Sequence, residues 1–453
     1  MRLLTLSILT FSLVLILGGC QTYYTKTLTF NQKFEDGNYS EARSYLASQD
    51  KLKSKNSKVL YDLNYATSSF WLDDTQESIK YFDTADKYAD DFSKNYAYEA
   101  LALISNPTVR PYELEYFEAV MLHFYQAINY LKLNNMEDAL VECRRMNLVL
   151  DQQSDAFRNH NGKRYSRDAF GHLLMAYIYE MSGDNNNAFI AYRNALEIYT
   201  DDYSSLYDTP VPESLKRGII RTAYRTGFTS QARSYEKSFN MVYDRSSSQR
   251  ARALIFLLDG MSPVKTEFSY DFIKTSNSSF AKFTNEEYGL QIPIFFGDCS
   301  PSEKSSLNDF SYVRLTLPKY VNRGSRCDAT LSLNGSTCSP DLVENVQSIA
   351  HQSLKDRMWR EFGKAILRAA TKETLHQAAA KQNDYLGLFV NIANAVTEKA
   401  DTRSWTSLPA RIRVADLDLA PGSYNLSYTS CGTESAQINL SQGQTTILCL
   451  RGF

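Results

Sequence analysis

The sequence predicts an α+β protein, mainly α. Helical repeats fill residues 23–258, and a mixed α/β region over 259–453 ends in a small antiparallel β meander. Three observations carry this. A turn motif followed by a small residue recurs along the first half; the hydrophobic period changes near Leu258; turn dipeptides punctuate the last third.

The length, 453 residues, suits two or three domains with ample core. A hydrophobic fraction of 43% with 22% charged residues is globular, and the net charge of −2 excludes a nucleic-acid binder that works by bulk charge.

Arg2 precedes a mostly apolar run over residues 3–17, which closes on Leu17-Gly18-Gly19-Cys20. Charge, a short apolar stretch and small residues are the order of a secretory signal, and the run is too short for a spanning helix. Its end resembles the bacterial lipobox. That resemblance implies removal of residues 1–19, acylation of Cys20, and a short lipidated N-terminus over 20–22. Gln21 after the Cys then favours the outer membrane, with the body facing the periplasm.

The repeats come next. Gly37-Asn38-Tyr39-Ser40-Glu41-Ala42 recurs in form as Gly183-Asp184-Asn185-Asn186-Asn187-Ala188. Weaker copies begin at Asp73, Asn134 and Gly227. After each of the small residues Ala42, Ser78, Ala139 and Ala188 a larger one follows four positions on, at Leu46, Phe82, Cys143 and Tyr192. This pattern resembles the tetratricopeptide repeat (TPR), which implies a TPR-like α-solenoid of helical hairpins. The copies are unevenly spaced, with a polar insertion at 151–168. In the repeat's frame Met121, Phe124, Ile128 and Leu131, then Phe170, Leu173 and Tyr177, line the groove. They are too apolar to face water. Either the chain's own C-terminal region or a protein partner's helix or tail must cover them.

In the last third, strands are expected at 265–273, 290–296, 312–317 and 329–333, with Asn334-Gly335 as a hairpin turn. Residues 340–399 return to helix. Three strands at 424–429, 436–440 and 445–450 then form the meander. Its first and third strands would bring Cys431 and Cys449 to one end, where a disulfide would contribute about 3 kcal/mol. Cys338 should face Leu331 across the Asn334-Gly335 turn, too far from Cys327 to pair with it, which leaves Cys299 as a candidate for either. Cys143 occupies a repeat core position, as a buried thiol.

Over 341–382 the residues Leu354, Met358, Phe362 and Ile366 share one helical face, and Arg360, Lys364, Arg368 and Lys372 another. The second stripe is either an ordinary solvated face or a surface for anionic lipid or acidic glycan.

Asp401-x-Arg403-Ser404-Trp405-x-x-Leu408-Pro409, Tyr125-x-Ala127-x-Asn129-Tyr130-Leu131-x-Leu133 and Gly260-x-x-Pro263-x-Lys265 resemble a family of bacterial outer-membrane lipoproteins with TPR-like repeats. The resemblance spans most of the chain. It transfers no activity. Its relatives accompany small lipoproteins that activate peptidoglycan synthases. On the residues alone, Trp405 is expected as a core plug, and Asp401 and Arg403 are expected to pair or cap.

Catalytic signatures are missing: no G-x-S-x-G elbow, H-E-x-x-H helix, P-loop or G-x-G-x-x-G fingerprint. The five His stand at no metal-ligand spacing, so neither metal nor cofactor is expected. The reading is a lipid-anchored periplasmic scaffold that binds a protein partner of the cell envelope. The alternatives are a peptidoglycan-associated regulator of wall synthesis and an enzyme acting on envelope glycan.

Overall fold

A computed structural model describes residues 22–93, 107–156, 167–244, 250–276, 280–285, 290–295, 312–324, 329–356, 400–430 and 432–452. After one helical turn at Tyr23–Lys26, the helices pair in sequence. The pairs are α1 Leu28–Glu35 with α2 Tyr39–Ser48, α3 Lys58–Trp71 with α4 Thr75–Ser93, α5 Tyr116–Lys132 with α6 Met136–Ala156, α7 Ala169–Met181 with α8 Asn185–Ile198, and α9 Glu213–Arg225 with α10 Thr229–Phe239.

One turn closes every pair. Gly37, Asp73, Asn134, Gly183 and Gly227 all take positive φ. After each, the next residue's N–H returns to a carbonyl five positions back, as Asn38 does to Lys33 at 2.9 Å and Asp184 to Tyr179 at 2.9 Å. This is the Schellman end of a helix, which needs a left-handed residue at that one position. The small residues Ala42, Ser78, Ala139, Ala188 and Ala232 are fully buried, and so are Leu46, Phe82, Cys143 and Tyr192. Small against large at fixed offsets lets the two helices approach closely. The repeat is therefore physical: these are TPR-like hairpins.

Twelve strands follow among the described residues: β1 Ala251–Met261, β2 Val264–Ser276, β3 Phe280–Asn285, β4 Leu290–Phe295, β5 Tyr312–Val321, β6 Thr330–Leu333, β7 Ser336–Cys338, β8 Asp341–Glu344, β9 Pro409–Leu419, β10 Gly422–Thr429, β11 Thr433–Leu440 and β12 Thr445–Gly452. They form three sheets in the orders β12-β1-β9-β8, β11-β10-β6-β7 and β4-β3-β2-β5. The first is the middle layer of the molecule. On one of its faces, Leu254, Phe256, Leu258, Ile412 and Val414 join the helical core. On the other, Ala253, Ile255, Leu257 and Ala415 pack on Leu331, Leu426, Tyr428 and Ile438 of the second sheet. Alternate residues of β1 thus serve two cores.

Three expectations are corrected here. Residues 251–258, assigned by sequence to the helical region, are strand. With both faces covered, β1 is an unbroken apolar run from Ala253 to Leu258, and period 2 disappears there. The terminal meander is not formed: β10 and β11 make a hairpin, but β12 leaves it to lie parallel to β1, with Phe256 opposite Cys449. Residues 341–344 are strand β8, and the helix begins after them, at 346–356. The Asn334-Gly335 turn is present, with φ of 47° and 89°, and Leu331 faces Cys338 as expected.

Candidate functional site

The first helices of the hairpins, α1, α3, α5, α7 and α9, are those that a TPR-like array turns to its concave side, and α3, α5 and α7 carry the longest buried runs here. Their apolar stripes need cover, and the chain supplies it from segments far away in sequence.

Phe256 sits at the centre. Its ring centroid lies 6.0 Å from that of Phe124, 6.5 Å from Phe170 and 6.4 Å from Tyr177. Met121, Phe124, Ile128, Phe170, Leu173 and Tyr177 are buried, and Leu131 is half-buried. These residues were expected to line a groove, open to a partner or filled by the chain itself. They are corrected to the second case: β1 packs on Phe124, Phe170 and Tyr177 through Phe256, and the set shares one core with Leu254, Phe256 and Leu258.

Beside β1 runs an irregular segment, 401–408, almost wholly buried. Trp405 lies 5.8 Å from Phe82 and 5.9 Å from Tyr125, ring to ring. A buried segment without sheet partners must bond its backbone elsewhere, and the helices provide acceptors. The Trp405 N–H donates to Glu118 Oε1 at 2.8 Å. The indole N–H donates to Ser407 Oγ at 2.8 Å, and that hydroxyl donates to Asn64 Oδ1 at 2.8 Å. The Tyr23 N–H donates to Thr402 Oγ1 at 3.2 Å. Arg403 joins Asp401 through Nη2 and Oδ2 at 2.7 Å, and its Nη1 donates to the carbonyl of Arg110 at 3.0 Å. Burial works against ionising Asp401, but the Arg403 guanidinium outweighs it and holds the carboxyl well below the usual range. The expected pair and plug are both present, and the plug fills the repeat array itself.

Sequence reasoning missed the groups that receive this segment. Glu118, buried at the start of α5, also accepts from Tyr112 Oη at 2.6 Å and from the Glu115 N–H at 3.0 Å. Burial pushes its carboxyl up. Glu115 pairs with Lys265, the last residue of the Gly260-x-x-Pro263-x-Lys265 motif. Glu115 and Glu118, two acids at the start of the mainly apolar α5, were the available signal.

β12 closes the opposite end. Arg451 Nη1 donates to the Phe34 carbonyl at 2.7 Å, and its guanidinium lies 4.3 Å from the Phe34 ring centre and 4.9 Å from that of Tyr39. Burial among these rings lowers its pKa to about 10. Along the array, Arg451, Trp405 and Phe256 thus meet successive hairpins in order.

Cys20, Cys431 and the stripe Arg360, Lys364, Arg368 and Lys372 lie outside the described residues. Cys449 carries a free thiol on β12, on the sheet face that packs toward the helices, and burial pushes its pKa up to about 12. The pairing with Cys431 argued from a meander loses its basis with that meander. Among the described residues no three potential ligands converge on a metal position, and no helix is long and apolar enough to cross a membrane.

No family model and no curated protein matches the chain. Several solved helical-repeat structures are similar over about half of it. MamA (residues 41 to the end) from Desulfovibrio magneticus RS-1 is 13% identical, covering 46% of this chain and 88% of its own, with a TM-score of 0.29. The apo form of RapI is 14% identical, with coverages of 51% and 56% and a TM-score of 0.35. A tetratricopeptide repeat protein from Parabacteroides merdae ATCC 43184 is 15% identical, with coverages of 49% and 80% and a TM-score of 0.24. The TPR-like character of this chain rests on its own turns and its own small-against-large spacing.

Proposed function

We propose that this protein is a scaffold of the bacterial cell envelope, acylated at Cys20, held at the outer membrane and facing the periplasm, and that its helical hairpins bind a protein partner. The observation that carries the reading is the hairpin array with its concave side already filled. Such an array is a stiff platform. Its partner reads the outer faces of the second helices, where Leu148 on α6 and Ile190 on α8 stand exposed.

Anchoring sharpens the picture. Thr22 caps the first helical turn and Tyr23 is buried. Acyl chains on Cys20 would be only three residues from that buried ring, at most about 10 Å of extended chain. A tether so short holds the body against the bilayer, and each buried CH₂ adds about 0.8 kcal/mol to the hold.

Photocrosslinking side chains at positions 148 and 190, with exposed Ser435 on β11 as control, test the reading in cells. One partner joined from both helical positions and not from position 435 is the expected result. Adducts from position 435 alone, or from none, would overturn it. Separately, Cys20→Ala should release the protein from the outer-membrane fraction.

A further inference from the structure

A cavity of about 500 Å³ lies where the end of α7, α9, the start of β1 and the β11–β12 turn meet. That volume suits a small molecule. Its wall carries Arg221, Arg225, Arg250 and Arg252, with Glu180 and Asp418 as its acids.

The inner charges are spent on one another. Glu180 accepts from Arg221 Nη2 at 2.9 Å, Arg252 Nη1 at 2.8 Å, Arg225 Nη1 at 3.0 Å and the Tyr192 hydroxyl at 2.9 Å. Asp416, behind the wall, takes Arg252 Nε at 2.6 Å and Nη2 at 2.9 Å. Arg221 and Arg252 are therefore structural, each buried against a carboxylate. The outer pair differs. Arg225 shares an acceptor that two other guanidinium groups already hold. Arg250 meets Asp244 at 3.5 Å, at the edge of bonding distance. Their side chains are 35% and 48% exposed, at the solvent side of the cavity. Four guanidinium groups are balanced by four carboxylates, Glu180, Asp416, Asp418 and the loosely held Asp244, so the opening for a ligand lies in the exposed forks of Arg225 and Arg250 and not in an excess of charge. A guanidinium fork matches two oxygens of a carboxylate or phosphate.

We propose that this cavity binds a small oxyanion, a carboxylate or a phosphate ester, gripped by Arg225 and Arg250. The site is independent of the scaffold reading and needs no contact with the concave side. An acid sugar and a sugar phosphate present the same chemistry, so both are tested.

The test is calorimetric titration of the full chain with glucuronate, glucose 1-phosphate and citrate, each in turn. One site per chain with a Kd below about 1 mM for at least one of them is expected. Arg225→Gln with Arg250→Gln should weaken that binding by about tenfold or more, while Arg233→Gln on exposed α10 leaves it unchanged. Selective binding of glucuronate or of glucose 1-phosphate tells the carboxylate source from the phosphate source. No binding of any probe at about ten times that concentration overturns the proposal. So does equal binding by the double variant, or equal weakening by Arg233→Gln. Should the double variant fail to fold, Arg250→Gln alone, changed at a half-exposed side chain, decides on the same criterion.

Discussion

The ring of Phe256, in the middle of β1, packs 6.0 Å from that of Phe124 on α5. The two residues belong to different halves of the chain. Their contact makes helical array and β layers one folding unit, so a defect in the strand is felt in the helices. Phe256→Ala should cost about 3–5 kcal/mol, because the cavity left between two rigid layers cannot collapse. Leu148→Ala, on an exposed helix face, should stay within about 0.5 kcal/mol. Urea unfolding followed by helix signal measures both. Equal small effects would mean that the halves fold separately.

Gly218 makes a second comparison. A Cβ there would lie 2.4 Å from the Tyr192 ring, whereas one on Gly183 meets nothing within 4 Å. Gly183, at φ +82°, needs its left-handed conformation, so Gly183→Ala should cost about 1 kcal/mol. Gly218→Ala, inside α9, gains helix propensity but drives a methyl into a buried ring, and should cost about 1–3 kcal/mol in spite of that gain. Thermal unfolding of the two variants orders them. Gly218→Ala being neutral would contradict the close approach of α8 and α9.

Asp401 sets the acid limb. Its carboxyl is held ionised by Arg403, so its folded pKa lies below the unfolded value. A depressed acid stabilises the fold above its unfolded pKa, and that contribution is lost as pH falls toward the folded pKa. Asp401→Asn should therefore be less stable than the parent at pH 7, and the gap should close progressively below about pH 4. A gap that stays constant from pH 7 to about pH 2 would show that Arg403 does not hold this charge.

Cys449 distinguishes the observed strand order from a meander. Its thiol is free and half-buried on the face toward the helices, and burial pushes its pKa up to about 12. It should resist alkylation in the native protein and react at once in denaturant without reductant. Peptide masses report the site directly. A Cys449 peptide that stays unlabelled until reductant is added would restore the disulfide with Cys431.

Much of the helical half was legible because local backbone geometry constrains residue choice. A left-handed turn wants Gly, Asn or Asp, and Gly37, Asp73, Asn134, Gly183 and Gly227 all obey. Close helix approach wants Ala or Ser, hence Ala42 to Ala232. What escaped was non-local. β1 looks helical or uniformly buried because Leu254 faces the helices and Ile255 faces the other sheet. The pairing of β12 with β1 joins residues far apart in sequence, such as Ile255 and Leu448. The Arg252–Asp416 pair, 164 residues apart, leaves no trace in spacing. Trp405 was legible as a plug from its type, but the hole it fills, between Phe82 and Tyr125, was not.

The chain itself fills the concave side of the array. Hydrogen exchange read by mass spectrometry tests it most directly, on peptides spanning 251–261 and 402–408. If β1 and the Trp405 segment are built into the array, their amides should exchange as slowly as those of α5, through global unfolding only. Exchange of either peptide within seconds under native conditions, while α5 stays protected, would mean an open groove and contradict the claim.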